Sequence, residues 1–331
     1  MMAPKSWLKI VPALLWLLAL LLAGSIVSQL PLATVADTIE TLSSTQWLIW
    51  IYINLGIILV ATQRWWVLTD MLKLPVRFSE LLMLRQAGQA VSFMTPGPQF
   101  GGEPLQIFWL YKRSKLPIHS ALLTVGLDRF YELWINFGVL LLSSTLLLIS
   151  PRIAFAHGQK IVPTLLILLL TLSLLGWLLL KKPERILAWI KRVTHHWQDH
   201  PRLQNIETHW QRMSYDLHYV MTQQQTALLK AFLLSILGWL GLLGELWLLL
   251  TFLDLNVDLS TFLTILVAMR LAFLLPLPGG LGTLEASLFW VFQYLSLPTS
   301  AVLGLIALMR LRDVVMLLAG LCCLRALQFR E

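Results

Sequence analysis

Carboxylates and arginines recur at matching intervals inside apolar stretches of this sequence. The frame P-G-x5-E runs from Pro96 to Glu103 and again from Pro278 to Glu285. After each frame comes an arginine with an acid three residues later, and these pairs are Arg129 with Glu132 and Arg310 with Asp313. Guanidinium groups bind phosphate and carboxylate oxygens, whereas a buried carboxylate can bind an amine, carry a proton or cap a helix. The spacing leaves all three roles of the glutamates open.

The elements that must position these residues are membrane helices. Hydrophobic residues make up 57% of the 331-residue chain, charged residues only 13%, and the mean hydropathy is +0.74. A soluble core could not hide that much apolar surface, so we predict an all-α, polytopic membrane helix bundle. The net charge of +8 lies mainly in segments between the hydrophobic runs. Membrane topology explains the charge there, and we expect no nucleic-acid binding.

Six hydrophobic runs are long enough to cross a bilayer, which takes about 20 apolar residues. They are 10–30, 47–69, 119–149, 161–180, 227–253 and 299–326. Two further regions, 81–110 and 261–296, are broken at their centres by proline and glycine. A broken backbone inside a membrane is tolerated only where protein or a water-filled cavity satisfies its amide groups. We therefore predict six crossings and two re-entrant or discontinuous helical hairpins packed inside the bundle.

The distribution of basic residues predicts the orientation of the bundle. Segment 181–230 carries eight lysines and arginines, whereas 31–46 and 254–260 carry none and contain acids instead. Basic segments face the cytoplasm, so both termini are expected on the cytoplasmic side. Apolar residues at helical spacing across about 181–226 also predict two amphipathic helices, separated at Pro201, on the cytoplasmic leaflet.

The two broken regions are predicted to be copies of each other. A proline precedes each arginine by the same distance, Pro117 in the first copy and Pro298 in the second. We predict repeat 1 at about 81–149 and repeat 2 at about 261–326, within a single integral membrane domain covering residues 1–331. On the predicted topology the hairpins enter from opposite faces. That makes the repeat inverted, and inverted repeats place a site at the membrane midplane.

Charges inside the membrane define the candidate site. Asp128, Arg129 and Glu132 lie within one predicted span, where a charge costs about 2.5–3.5 kcal/mol at the helix centre. Residues three apart share a helix face, so Arg129 can pair with Glu132, and Arg310 with Asp313. Such pairs either pin helices together or line one central cavity from both halves. Weaker candidates for the same cavity are Arg85, Glu245, Arg270 and Arg312.

Two segments carry a resemblance to a known family. "TPGPQFGGEPLQIFWLYKRSKLP…ALLTVGLDRFYEL" and "PLPGGLGTLEASLFWVF…LP…ALMRLRDVV" resemble the lysylphosphatidylglycerol synthase transmembrane-region family of flippase-like membrane proteins. The resemblance implies a multi-pass inner-membrane protein of bacteria or archaea, with paired re-entrant helices around a lipid-accessible cavity. It points to Pro96, Gly97, Gly101, Gly102, Glu103 and Arg129 in one half and to Pro278, Gly279, Gly280, Glu285 and Arg310 in the other.

The sequence departs from the family pattern in two respects. Pro98-Gln99 interrupts the first glycine-rich stretch, and Gln106 stands where relatives commonly carry a basic residue, so the headgroup preference does not transfer. The aminoacyl-transferase domain of bifunctional members has no counterpart, because the chain ends shortly after its last hydrophobic run. We therefore expect no synthase activity.

Three functions of different classes remain open. The first is translocation of a phospholipid or other polar-headgroup lipid between leaflets, with anionic or zwitterionic membrane lipids as partners. The second is proton-coupled transport of a small solute or a polyprenyl-phosphate carrier lipid, with Glu103 and Glu285 carrying protons. The third, an intramembrane lipid phosphatase, lacks a nucleophile with a positioned base in either loop, so we expect no enzyme. No cofactor is predicted, and no further ligands complete a metal site with His195, His196, His200 and His209.

Overall fold

A computed structural model of the protein describes residues 40, 42–95, 101–149, 158–181, 206–275 and 277–328. Within these ranges the regular backbone is helical, which confirms the predicted all-α class. The helices are α1 (Ser44–Asp70), α2 (Phe78–Met94), α3 (Glu103–Lys112), α4 (Ile118–Ile149), α5 (Gly158–Lys181), α6 (Ile206–Gln223), α7 (Gln225–Phe252), α8 (Leu259–Ala272), α9 (Thr283–Tyr294) and α10 (Thr299–Gln328). The predicted span 10–30, the Pro96-Gly97 step and the first amphipathic helix lie outside the described residues.

Three helices of the described ranges, α1, α4 and α7, are long and apolar enough to cross a membrane. Large apolar side chains are exposed on their outer faces, among them Leu48, Leu142 and Leu237. An apolar surface this extensive fits contact with lipid rather than water. With 30 residues, α10 is also long enough for a crossing, but charged residues lie in its middle. The count of six crossings therefore stays a prediction.

Helices α1 and α7 pack along each other in opposite directions. Near the start of α1, Trp50 contacts Glu245 towards the end of α7. Near the end of α1, Leu68 shares a buried cluster with Ala231 at the start of α7. This antiparallel seam joins the first half of the described chain, residues 44–149, to the second half, residues 225–328.

The two broken regions are helical hairpins that enter the bundle from opposite ends of this seam. Ser114, after α3, donates a hydrogen bond to Glu80 at the start of α2, so α3 returns to the end where α1 finishes. The chain enters α8 at the other end, where α7 finishes, and α9 packs against α8. The hairpins of the two halves therefore meet inside the bundle from opposite sides.

Corresponding helices of the two halves begin at a nearly constant interval. Helices α1 to α4 begin at residues 44, 78, 103 and 118, and α7 to α10 begin at residues 225, 259, 283 and 299, which is 180 or 181 positions later in each case. Packing also follows this correspondence, because α2 packs along α10 while α8 packs along α4. In each half, the first helix of the hairpin (α2 or α8) thus packs against the last helix of the other half (α10 or α4).

Helix α6 is the second of the two predicted amphipathic helices. Its Leu217 and Val220 are buried, and Val220 shares a cluster with Leu68 at the end of the seam. Ser120 at the start of α4 donates a hydrogen bond to Asp216 at 3.3 Å. The apolar face of α6 therefore packs on the end of the bundle, and its relation to a lipid leaflet stays a prediction.

Candidate functional site

In the second half, Arg310 fastens the glycine turn between α8 and α9, residues 278–282. Its Nε donates a hydrogen bond to Glu285 Oε1 at 2.6 Å, and its Nη1 donates to Asp313 Oδ2 at 3.0 Å. The carbonyls of Gly279 and Gly280 accept from Nη1 and Nη2 at 2.9 and 3.1 Å. These two residues have left-handed φ angles of 57° and 62°, which glycine adopts without a steric penalty. Arg310 is fully buried, so its donors serve the protein itself.

The two glutamates of the repeated frame each accept a hydrogen bond from backbone just before their helix. Glu285 is the third residue of α9, and its Oε2 accepts from the Gly282 N–H at 2.9 Å. Glu103 is the first residue of α3, and its Oε2 accepts from the Gly101 N–H at 2.8 Å. Amide groups at the start of a helix lack partners within the helix and need such acceptors. Both carboxylates therefore fill the capping role that the sequence left open.

The first half repeats the two ion pairs around a more accessible arginine. Arg129 Nε lies 2.7 Å from Glu103 Oε1, and Arg129 Nη1 donates a hydrogen bond to Glu132 Oε2 at 3.0 Å. The Gly102 N–H donates to Ser92 Oγ at 2.9 Å, which ties the start of α3 to α2. The Arg129 side chain is 16% exposed, whereas the Arg310 side chain is fully covered. Pro104 occupies the second position of α3, where its missing N–H leaves no helical hydrogen bond unmade.

Asp128 is held by two arginines from two other helices. Arg64 Nε lies 2.7 Å from Asp128 Oδ1, and Arg85 Nη1 lies 2.9 Å from Asp128 Oδ2. Both arginines also approach Glu132 Oε2, at 3.4 and 3.6 Å. The side chains of Arg64, Arg85 and Asp128 are all nearly completely buried. The predicted interior acid Asp128 thus joins α1, α2 and α4, and Arg85 belongs to the same cluster.

Sequence reasoning missed Arg64, although a usable pattern was present. Arg64 lies 181 residues before Glu245, the same interval that separates the corresponding helices. Glu245 in turn accepts a hydrogen bond from Arg312 at 2.7 Å, and its other oxygen accepts from Trp50 Nε1 and Asn54 Nδ2. Each half therefore contains an ion pair between its first helix and its last, with the charges in opposite order. Extending the repeat by one helix towards the N-terminus would have identified Arg64.

A central cavity with two adjoining chambers lies between the halves. The larger chamber has a volume of about 290 Å³, and the smaller has about 160 Å³. Glu132 and Asp313, the two acids of the R-x-x-[D/E] pairs, line both chambers. The other charged residues of the larger chamber are Arg64, Arg85, Glu245, Arg270 and Arg312, and Arg129 lines the smaller. Charged side chains of both halves therefore face one shared space.

The remaining sequence-predicted residues lie around this cavity in different ways. Gly279 and Gly280 form part of the wall of the larger chamber. Phe93 of α2 packs on Gly279, so closely that a Cβ there would overlap its ring. Seven predicted residues of the described ranges line neither chamber and belong to the structure behind its walls, and these are Gly101, Gly102, Glu103, Asp128, Pro278, Glu285 and Arg310. Pro278 begins the turn that Arg310 fastens.

The ion pairs of the interior arginines within the described ranges each join residues of the same half. Arg64, Arg85 and Arg129 pair with acids between positions 103 and 132. Arg310 and Arg312 pair with acids between positions 245 and 313. The contacts across the antiparallel seam are instead apolar packing and hydrogen bonds with one uncharged partner, such as the one from Trp50 to Glu245. Charge compensation of these arginines is therefore local to each half.

The described residues contain no group of three or more side chains suited to hold a metal ion. Of the four histidines considered above, His195, His196 and His200 lie outside the described residues. The helical His209 has a side chain outside the described part as well. Cys322 and Cys323 are both free thiols on α10.

Comparison with known proteins places this arrangement in a family. The chain is 24% identical over 253 residues to a UPF0104 membrane protein of Methanothermobacter thermautotrophicus, and the match covers 72% of each chain. No solved structure matches the chain significantly. Residues 7–320 match the family described as the lysylphosphatidylglycerol synthase TM region. The chain therefore belongs to this family of multi-pass integral membrane proteins.

Proposed function

We propose that this protein moves the polar headgroup of a phospholipid or other lipid between the two leaflets of its membrane. The observation that carries the proposal is the central cavity, which is lined by charged side chains of both halves. The outer faces of α1, α4 and α7 are apolar by contrast. A headgroup inside the cavity would find polar partners at membrane depth, where hydrocarbon offers none.

The size of the cavity supports transport of the headgroup alone. Sites for drug-sized ligands occupy roughly 300–1,000 Å³, and the larger chamber of about 290 Å³ is at the lower end of that range. A headgroup fits this space, whereas two acyl chains do not. The chains would stay in the bilayer, beside the exposed leucines of the outer faces, while the headgroup crosses.

Alternating exposure of a cavity is commonly built from two halves related by an inverted repeat, and several observations support that relation here. The helices begin 180 or 181 residues apart, α1 and α7 run antiparallel, and the hairpins enter from opposite ends. The ion pairs Glu103–Arg129 and Glu285–Arg310 also match, with N–O distances of 2.7 and 2.6 Å. A structure built from two such halves can open towards either face by exchanging their roles.

The proposed location is the cell inner membrane, with both termini in the cytoplasm. The proposal rests on the eight basic residues of segment 181–230, because basic connections stay on the cytoplasmic side. A reporter fused to the C-terminus should be active in the cytoplasm and inactive outside it. The reverse pattern would contradict the orientation.

Leaflet exchange of labelled lipids in proteoliposomes tests the proposed function. The purified protein is reconstituted with fluorescent lipids of several headgroups, and a membrane-impermeant reductant reports the label that remains in the inner leaflet. We expect exchange with the wild type and its loss in Glu103→Gln and Arg129→Ala, which change the first-half contacts at the cavity. Arg212→Gln, at an exposed position of α6, is the matched control and should keep exchange.

Two outcomes would contradict the proposal. A folded wild-type protein that leaves every labelled headgroup in its leaflet would refute lipid translocation. Normal exchange by both Glu103→Gln and Arg129→Ala would show that the cavity contacts do not serve transport. Folding of each variant is checked by its elution as a single species and by its melting temperature.

A further inference from the structure

Arg270 lines the central cavity but forms no salt bridge with the described residues. It is near the end of α8, it lines the larger chamber, and its guanidinium carbon sits 4.6 Å from the centre of the Trp239 ring. Its Nε is buried and donates no hydrogen bond to the described residues. A cation–π contact compensates only part of the cost of removing a guanidinium from water. An arginine in this situation is suited to receive an anion from outside the protein.

The nearby protein groups are already committed to other partners. Glu245 would be a partner for Arg270, but its two oxygens accept hydrogen bonds from Trp50, Asn54 and Arg312. Arg312 also lies 3.5 Å from Asp313. Moving Glu245 to Arg270 would break these contacts, whereas an anion supplied by a ligand would pair with Arg270 and leave them intact.

The charges of the ion-pair network around the cavity balance when Arg270 is included. The network contains six arginines (Arg64, Arg85, Arg129, Arg270, Arg310, Arg312) and six acids (Glu103, Asp128, Glu132, Glu245, Glu285, Asp313). An anion bound to Arg270 alone would therefore leave this interior with one excess negative charge. Of the two acids that line both chambers, Glu132 is the more accessible, with a side chain that is 37% exposed against 11% for Asp313.

We propose that the cavity binds a zwitterionic phosphoester headgroup, with the phosphate on Arg270 above Trp239 and the ammonium group beside Glu132, where the two chambers meet. The inference rests on the proposed function and names its substrate class. The planar fork of arginine matches phosphate oxygens in pairs. An anion without an accompanying cation would add an uncompensated negative charge to a low-dielectric interior. A headgroup with both charges keeps the interior neutral.

Binding of soluble headgroups to the purified full-length protein in detergent tests the assignment separately from transport. The probes are glycerophosphoethanolamine, which carries both charges, and glycerol 3-phosphate and inorganic phosphate, which carry only the negative one. Affinity is measured by calorimetry. We expect glycerophosphoethanolamine to bind at least 10-fold more tightly than either anion.

Two variants assign the ends of the headgroup. Arg270→Gln should weaken the binding of glycerophosphoethanolamine by about 10- to 100-fold, the usual effect of losing a charge-assisted pair. Its melting temperature should stay at or above that of the wild type, because it removes an unpaired buried charge. Glu132→Gln should remove the preference for glycerophosphoethanolamine over glycerol 3-phosphate. Arg212→Gln should change none of these values.

Equal or tighter binding of glycerol 3-phosphate by the wild type would overturn the assignment, as would unchanged affinity in Arg270→Gln. Leaflet exchange of lipids distinguishes this failure from failure of the proposed function. Exchange that persists in Arg270→Gln would leave translocation standing and remove the phosphate site. Arg270-dependent binding of the soluble headgroup without exchange of any lipid would keep the site and reject translocation. Selective exchange of labelled phosphatidylethanolamine would indicate that the natural ligand is a lipid. Binding of the soluble headgroup without lipid exchange would indicate that it is a free phosphoester.

Discussion

Replacing Arg310 by methionine should destabilise the protein more than any other single change at the candidate site. The substitution removes the donors that hold Glu285 at 2.6 Å and Asp313 at 3.0 Å, together with those that bind two glycine carbonyls. Breaking a buried ion pair by removing one partner costs about 3–5 kcal/mol, because the other charge is left uncompensated. Asp313 keeps Arg312 at 3.5 Å and Glu285 keeps the Gly282 N–H, so we expect about 3–4 kcal/mol.

The expected shift in melting temperature follows from the size of the chain. At about 2.1 cal/mol/K per residue, 331 residues give an unfolding entropy of roughly 0.7 kcal/mol/K. Arg310→Met should therefore melt about 4–6 °C below the wild type. The intrinsic fluorescence of the 15 tryptophans reports unfolding in detergent, with all variants heated at the same rate. Arg212→Met, at an exposed arginine of α6, is the matched control and should melt with the wild type.

A triple variant tests whether stranded charge is the cause of this loss. Adding Glu285→Gln and Asp313→Asn to Arg310→Met removes the carboxylates that the single variant leaves uncompensated. The triple variant should recover more than half of the lost melting temperature, because neutral groups are far cheaper to bury than charges. A triple variant that melts below Arg310→Met would refute the electrostatic account of the glycine turn. A single variant that melts with the wild type would refute it as well.

Three other predictions concern the walls and wall contacts of the cavity. Arg129→Gln should lower the melting temperature by less than half as much as Arg310→Met, because its side chain is 16% exposed, yet it should reduce leaflet exchange at least 10-fold. Gly279→Ala should lower the free energy of unfolding by about 1–3 kcal/mol, because alanine would have to adopt a left-handed φ and its Cβ would overlap Phe93. Adding Phe93→Leu should recover part of the lost melting temperature. Arg64→Gln and Arg85→Gln should each lower the melting temperature only slightly, because the remaining arginine still compensates Asp128. The double variant should lower it by more than the sum of the two single losses, and a loss equal to that sum would contradict this account.

The helices of the described chain could be predicted well from the sequence. The apolar runs 47–69, 119–149 and 227–253 correspond to α1, α4 and α7, and the proline-glycine breaks correspond to the hairpins. Length and hydropathy determine these elements locally, so no tertiary information is needed. The pairing of Arg129 with Glu132 and of Arg310 with Asp313 is confirmed for the same reason, since a helix brings residues three apart together.

The difference between the two arginines of the repeat could not be predicted. Arg129 and Arg310 occupy the same position of the repeated R-x-x-[D/E] motif, yet Arg129 faces a chamber whereas Arg310 is sealed beneath the glycine turn. The contact of Phe93 with Gly279 joins segments that are 186 positions apart, and it packs an aromatic ring on the turn that Arg310 holds. The repeat interval could locate Arg64 but not its partner, because Asp128 lies on another helix and no local pattern connects the two.

The confinement of each interior ion pair to one half has a mechanical consequence. When two packed bodies slide or roll against each other, the contacts that resist are those that cross their boundary, and separating opposite charges in a poorly polarisable medium is the most resistant of all. Along the seam of α1 and α7 the described polar contacts each involve one charged group only: Trp50 and Asn54 donate hydrogen bonds to Glu245, and Arg64 Nη1 donates to Ser235 Oγ at 3.5 Å. A relative shift of the halves along this seam would therefore not have to separate an arginine from its acid. A chain cut between residues 149 and 206 would likewise keep the described ion pairs of Arg64, Arg85, Arg129, Arg310 and Arg312 on one fragment or the other.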